Sequence, residues 1–276
     1  MVRAGFIGLG SQGNGMARRL LDLGFPLTLW ARSAHTLEPF IGTSADVATT
    51  PAALGAACDV VGICVTDGAA VRAVTLEPDG VLAGMQPGSV LAIHSTIATD
   101  DCAEIAAAAE ARGVAVLDAP VSGGGEAAAA GRLTVYVGGN AAALDRARPI
   151  FEAYGENVVH MGGPGAGLRT KFLNNALNAA HFALAHDVFE TGVGLGLDPD
   201  ALALALRQGS GRSFSLEVFV ALRSFDGIAA HLGPIMAKDI TLFAAETSGT
   251  EADGVVLDAA DRFLELLHHP RTESAS

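Results

Sequence analysis

Val2–Ile7 followed at once by Gly8-Leu9-Gly10-Ser11-Gln12-Gly13 is the stretch that decides the fold. A short, largely apolar strand runs into a glycine-rich turn, and Gly13–Leu23 then reads as a helix stopped by Gly24. In such a strand–turn–helix unit the first glycine permits a tight turn. The second lets a pyrophosphate approach the backbone, and the third lets the helix pack on the strand. The first N–H groups of the helix and the positive end of its dipole then face the phosphates. A lone Gly-x-Gly-x-x-Gly is weak evidence, with an ordinary βα turn as the alternative. Here a second strand, Leu27–Trp30, follows at the distance a βαβ unit requires. Gly8, Leu9, Gly10, Ser11, Gln12 and Gly13 are therefore candidate dinucleotide-binding residues.

The end of the second strand bears on which dinucleotide. A site selecting NAD presents an acidic residue there to the ribose 2′-OH. This chain has Trp30-Ala31-Arg32-Ser33 instead. Arg32 can pair with a 2′-phosphate and Ser33 can add a hydroxyl donor, so NADP is expected ahead of NAD. The alternative is a surface Arg32 stacked on adenine.

Downstream, Asp59–Val65, Ser89–Ile93, Val114–Leu117, Leu133–Val137 and Asn157–Val159 read as further strands. Most are continuous apolar runs, the pattern of a sheet covered by helices on both faces. Between them lies a helix over Thr99–Arg112, stopped by Gly113, with Asp101 and Glu104 assigned to its first turn, where the dipole favours acid. Repeated βαβ units define an α/β fold with a parallel, doubly wound, Rossmann-like sheet over residues 1–162. Gly162-Gly163-Pro164-Gly165 breaks the pattern. Beyond it, helices are expected over Ala166–Gly192, Pro199–Leu206, Leu216–Ser224, Met236–Glu246 and Ala252–Leu267, with a frayed tail at Pro270–Ser276. Residues 163–276 thus read as an all-helical domain joined through one long interdomain helix.

Composition narrows the function. A chain of 276 residues can bury about three quarters of its unfolded surface. Seventeen basic against 30 acidic residues give a net charge of −13, without a basic run. A phosphate-backbone binder is excluded on that ground. Cys58, Cys64 and Cys102 are odd in number and lack Cys-x-x-Cys spacing, arguing against disulfides or zinc. His181 and His186 lie five apart, and His268-His269 sit in a polar tail, so no metal site is expected. Met1-Val2-Arg3 runs straight into the first strand and no stretch approaches a membrane span. The expected location is cytoplasmic, with no membrane partner.

Two further constellations could carry chemistry. Asp118-Ala119-Pro120-Val121-Ser122-Gly123-Gly124-Gly125 follows a strand, where backbone N–H groups freed by glycine and the Ser122 hydroxyl can hold a small carboxylate. A flexible turn is the alternative. On the long helix, Lys171, Asn174, Asn175 and Asn178 share one face of an otherwise Ala, Leu and Phe surface. A solvated face would carry better helix formers than Asn, so the stripe reads as the lining of a cleft. A lysine there suits proton exchange with a hydroxyl. The alternative is Asn groups satisfied by another helix.

Gly5–Leu20, Asp118–Gly124, Gly165–Asn175 and Lys238-Asp239, in this order, resemble the β-hydroxyacid dehydrogenase family, which includes 3-hydroxyisobutyrate dehydrogenase and tartronate semialdehyde reductase. The resemblance covers essentially the whole chain. It implies that Lys171 is the catalytic lysine, that Asn175 positions the substrate, and that Ser122, Gly123 and Gly124 hold its carboxylate. Thr96 matches a residue between nicotinamide and substrate, Val65 and Thr66 the turn beneath the cofactor, and Lys238 a residue closing over it. Asn174 joins the substrate-facing set from its place in the stripe. The resemblance further implies oxidoreduction of a small hydroxy acid or its semialdehyde with NAD(P), and a homodimer or homotetramer built through the helical domain. Gly233-Pro234 departs from the family's longer apolar approach to Lys238, and Arg212 is open between reading a second anion and lying on the surface. An imine reductase is similar in architecture but usually lacks the lysine. 6-Phosphogluconate dehydrogenase is similar in its first domain but has a longer helical half. A cofactor-binding scaffold would need neither the lysine nor the carboxylate cradle.

Overall fold

A computed structural model of the chain describes residues 1–222, 225–249 and 254–268. The elements alternate from the start: β1 (Ala4–Ile7), α1 (Ser11–Asp22), β2 (Leu27–Trp30), β3 (Asp46–Val47), α2 (Pro51–Ala57), β4 (Val60–Ile63), α3 (Gly68–Leu76), α4 (Val81–Gly84), β5 (Val90–Ile93) and α5 (Thr99–Glu110). Next come β6 (Ala115–Asp118), β7 (Val121–Ser122), α6 (Gly124–Ala130), β8 (Leu133–Gly139), α7 (Ala141–Tyr154) and β9 (Gly155–Gly162). The strands lie in the order β3-β2-β1-β4-β5-β6-β8-β7, with β9 pairing to β8. The chain steps outward from β1 through β2 to β3 and then crosses back to β4, so a topological switch point falls between β1 and β4.

β1 to β6 run parallel, and β1, β4 and β5 are buried throughout, as expected of apolar strands sandwiched between helices. The expectation of a parallel sheet fails at its far end. There β8 pairs antiparallel with both β6 and β7. The chain leaves β7 at Gly123 and Gly124, whose φ values of +131° and +77° lie in the region glycine tolerates best, and returns antiparallel as β8 after α6. The last strand also extends beyond Asn157–Val159 to Gly155–Gly162.

Smaller differences have local causes. The first helix begins at Ser11 with Gly10 as its N-cap, so part of the glycine motif is itself wound into the helix. In α5 the first turn holds Asp100 and Asp101, while Glu104 lies further along and pairs with Arg72. Phe6, Met16, Leu20, Leu29, Phe151 and Tyr154 form much of the core where α1 and α7 meet the sheet.

Only helices follow β9 among the described residues: α8 (Ala166–Gly194), α9 (Pro199–Gln208), α10 (Phe214–Leu222), α11 (Phe225–Thr247) and α12 (Gly254–His268). α11 starts well before the expected Met236 because the helix continues through Pro234, giving up the hydrogen bond that the missing proline N–H would make. Ser224, Ala252 and Pro270–Ser276, included in the expected helix ends and tail, lie outside the described residues. The chain divides into two compact units, residues 1–171 and 172–276. The second has its own core, centred on Phe182, Phe219, Phe225, Met236, Ile240 and Phe263. No helix among the described residues is long and apolar enough to cross a membrane.

Candidate active site

In the first unit, strand register aligns the candidate residues. Ile7 pairs with both Trp30 and Ile63, Ile63 with Ile93, and Ile93 with Asp118. Five neighbouring strands therefore end in one row. Gly8, Arg32, Val65, Thr66 and Thr96 all follow from that row at the carboxyl edge of the sheet, the edge where open α/β sheets bind ligands.

The glycine turn is shaped by three different constraints. Gly8 has φ +93°, and a Cβ there would strike the Cys64 carbonyl. A Cβ on Gly13 would strike the Gly8 carbonyl, so helix and turn lie against each other without room for a side chain. A Cβ on Gly10, by contrast, would meet nothing within 4 Å. Gly10 caps α1 without a side-chain hydrogen bond, and the first turn carries no acid. Open space above Gly10 and uncapped N–H groups at the helix start fit the diphosphate of a nicotinamide dinucleotide. Arg32 and Ser33 are exposed just past β2, as a group reaching for a ribose substituent needs to be.

Cross-strand hydrogen bonds hold the neighbouring turns. The Val65 N–H donates to Ser95 Oγ and the Ser95 hydroxyl donates to the Val65 carbonyl, both at 2.9 Å. This reciprocal pair locks the ends of β4 and β5 and so places Thr66 and Thr96. Beneath them His94 is 3% exposed, with Nδ1 2.6 Å from the Ala119 carbonyl and Nε2 3.0 Å from the Tyr154 hydroxyl. Burial pushes its imidazole down to about 4, against the opposing pull of the Ala119 carbonyl. His94 is thus neutral, donating through Nδ1 and accepting from Tyr154 through Nε2.

The Ser122–Gly124 turn lies beside the glycine turn. A Cβ on Gly125 would fall against Ser11 Oγ, and one on Gly15 would lie 2.8 Å from Ala128 Cβ. The close packing of α1 on α6 therefore brings the candidate carboxylate cradle next to the candidate diphosphate cradle. A Cβ on Gly124 would meet nothing within 4 Å, so the cradle is open there. Asp118, the buried end of β6, accepts hydrogen bonds from the Gly165 and Leu168 N–H groups at the start of α8.

Lys171 closes the first unit's sequence on α8, and Asn174, Asn175 and Asn178 follow on the same helix. Asn175 is 5% exposed; its Nδ2 donates to Asp239 Oδ2 at 2.5 Å and its Oδ1 accepts from Asn174. The other Asp239 oxygen, also buried, lies 3.1 Å from the Lys238 ammonium. Asn178 accepts from the Ser215 hydroxyl through both its carbonyl and its Oδ1, so the helix-to-helix alternative describes that residue, and it describes the buried Asn175, bonded to Asp239 on α11, as well. Arg212 and Phe214 are exposed. The contributions of His94, Ser95, Asp118 and Asp239 went unread in the sequence, because their hydrogen-bond partners Ala119, Tyr154, Val65, Gly165 and Asn175 lie 25 to 64 residues away. Among the described residues no group of three His, Cys, Asp or Glu side chains could hold a metal ion.

A Rossmann-like unit with this edge, followed by a helical unit, is the architecture of a nicotinamide-dependent dehydrogenase. Residues 3–163 match the NAD binding domain of 6-phosphogluconate dehydrogenase, and residues 165–275 match the domain described as NAD-binding of NADP-dependent 3-hydroxyisobutyrate dehydrogenase. The NAD-dependent L-serine dehydrogenase of Pseudomonas aeruginosa is 38% identical over 252 residues, covering 88% of this chain and 84% of that protein. Mitochondrial 3-hydroxyisobutyrate dehydrogenase of Mus musculus is 35% identical, over 92% of this chain and 77% of the other. A solved structure of Mycobacterium tuberculosis 3-hydroxyisobutyrate dehydrogenase with L-serine superposes with a TM-score of 0.84 at 26% identity, covering 99% of this chain and 100% of that one. The chain belongs to the β-hydroxyacid dehydrogenase family and is an NAD(P)-dependent hydroxyacid dehydrogenase.

Proposed function

We propose that this enzyme interconverts a small β-hydroxy acid and its semialdehyde, of the 3-hydroxyisobutyrate, 2-hydroxy-3-oxopropionate or 4-hydroxybutyrate type, in the cytoplasm, with NADP preferred over NAD. Lys171 exchanges the proton of the substrate hydroxyl as general acid and base. The Ser122 hydroxyl and the N–H groups of Gly123 and Gly124 hold the substrate carboxylate. Asn175 orients the hydroxyl, Asn174 lines the same side, and Thr96 separates substrate from nicotinamide. The turn of Gly8–Gly13 carries the diphosphate, Val65 and Thr66 lie under the cofactor, and Lys238 closes over it. Arg32 and Ser33 take the 2′-phosphate.

The bound nicotinamide supplies the hydride acceptor or donor. What the chain adds is orientation of two partners, which can contribute about 7–11 kcal/mol, and a placed proton carrier. The observation that carries this reading is Lys171 on a helix whose next turn holds Asn175, its amide oriented by the buried Asp239. The names of the relatives, dehydrogenases of 3-hydroxyisobutyrate and L-serine, support the substrate class. Three free cysteines agree with a reducing location.

Turnover of 3-hydroxyisobutyrate, 4-hydroxybutyrate, glycerate, 3-hydroxypropionate and L-serine with NADP⁺ and with NAD⁺, wild type beside Lys171→Ala, tests it. At least one acid is expected to turn over, faster with NADP⁺. Lys171→Ala is expected to lower kcat about 10²–10⁴-fold while leaving cofactor affinity unchanged. A Lys171→Ala enzyme with wild-type kcat removes the lysine's role, and no turnover of any acid by cofactor-loaded enzyme removes the substrate class.

A further inference from the structure

Asp118 ends β6 with 1% of its surface exposed, and its charge is met by backbone rather than by a basic side chain among the described residues. A helix leaves its first N–H groups without partners, and the residue before it normally answers one of them with a side-chain oxygen. Gly165, which stands before α8 with φ +84°, has no side chain to offer. Asp118 takes over the task from 47 residues away. Its Oδ1 accepts the Gly165 N–H at 2.8 Å and its Oδ2 accepts the Leu168 N–H at 2.9 Å.

The surroundings are cut to this carboxylate. A Cβ on Gly138 would lie 2.5 Å from Oδ1, and one on Gly167 would lie 2.9 Å from Oδ2 and 2.6 Å from the Asp118 carbonyl. Glycine at both places lets β8 and the first turn of α8 close on the group. Burial raises its carboxyl, and the N–H groups of Leu168 and Gly165 pull it back toward the charged form. Lys171 belongs to the turn stacked directly on this one, since the helical ladder runs from residue i to i−4 and so from Lys171 to Gly167.

We infer that Asp118 is the positioning residue for Lys171: by clamping the Gly165 and Leu168 amides to the sheet edge, it fixes the origin of the helix that carries the lysine. The inference rests on the reading of Lys171 as the proton-transfer group. Without the clamp the first turn has buried N–H groups unpaired and frays, and a shift of about 1 Å in a catalytic group can cost a hundredfold in rate.

Asp118→Asn conserves volume and one acceptor oxygen while turning an N–H donor toward the second amide. Three readouts are compared with wild type and Lys171→Ala: kcat, cofactor Kd, and acetylation of Lys171 relative to Lys238 by acetic anhydride, followed by mass spectrometry. The expected result is a kcat lower by about 10- to 100-fold, an unchanged cofactor Kd and faster acetylation of Lys171. Wild-type kcat in Asp118→Asn, with Lys171→Ala inactive, overturns the inference. So does a lower kcat with Lys171 acetylated as in wild type, which is the mark of general damage. Faster acetylation together with a fully active Lys171→Ala leaves Asp118 as the clamp and removes the lysine's chemical role instead. Should Asp118→Asn fail to fold, Gly138→Ala presses a methyl on the same carboxylate and carries the same expectations.

Discussion

A neutral imidazole at position 94 ties the end of β5 to the Ala119 carbonyl and to Tyr154 on α7, and it stacks against Phe6 at 6.0 Å between ring centroids. That arrangement ties the stability change between pH 7 and pH 4 to the protonation of this residue. In the unfolded chain the imidazole binds a proton near its ordinary value of 6.5, whereas in the fold it resists down to about 4. Between those values the unfolded state alone takes up the proton, so stability falls as pH drops through that window, by about 3 kcal/mol in all. Asp118, whose carboxyl burial raises, contributes with the opposite sign at the acid end. Chemical denaturation between pH 7 and pH 4 is expected to show this loss, and His94→Gln to flatten it. Equal slopes in the two proteins would remove His94 as the cause. The sequence marks His94 only as a neighbour of Thr96, because Tyr154 lies 60 residues away and no local pattern announces the pairing.

The strand–turn–helix of β1 and α1 is legible element by element, because the turn geometry at Gly8 and the packing of Gly13 on the Gly8 carbonyl are local demands, although Cys64 just past the neighbouring β4 also closes the space at Gly8. The demands differ, and substitution can separate them. Gly10 has open space where a Cβ would go, so Gly10→Ala is expected to fold with an unchanged Tm. The added methyl stands in the space proposed for the diphosphate, so cofactor Kd is expected to rise about tenfold or more, as titration of nucleotide fluorescence would show. Gly13→Ala drives a methyl into the Gly8 carbonyl and is expected to lower Tm as well. A Gly10→Ala protein that binds cofactor normally would place the diphosphate elsewhere. α11 teaches the reverse lesson. The helix expected from Met236 in fact runs through Gly233-Pro234, its flanks held by Ile228, Met236 and Ile240 in the second unit's core. Packing outweighs the local cost of proline.

For the whole molecule, an apolar stripe of the long helix is left uncovered by the described residues. Leu173, Leu177, Leu184 and Val188 fall on one side of α8 and are 57%, 51%, 56% and 50% exposed. Phe182, Ala183 and Phe189 meanwhile enter the core of the second unit. A helix apolar on more than one side needs more than one partner. This supports the homodimer or homotetramer that the family resemblance implies. Light scattering is expected to report two or four chains per particle, and Leu177→Glu to shift the particle toward the single chain. A monomeric wild type would end this assignment.

Sequence alone determined the Rossmann-like first half and the helical second half, and it marked the Gly8–Gly13 turn, the Ser122–Gly124 turn and the polar stripe beginning at Lys171 as candidate site residues. Each depends on periodicity or on a backbone demand satisfied within one or two elements. Tertiary structure decided the antiparallel edge made by β7 and β8, the row that aligns five strand ends, and the partners of the buried polar groups. Asp118 with the start of α8, Asn175 with Asp239 and Ser95 with Val65 are pairs joined across 30 to 64 residues. A buried donor or acceptor must find a partner, but which one it finds depends on how the chain returns to it, and only the folded molecule holds that information.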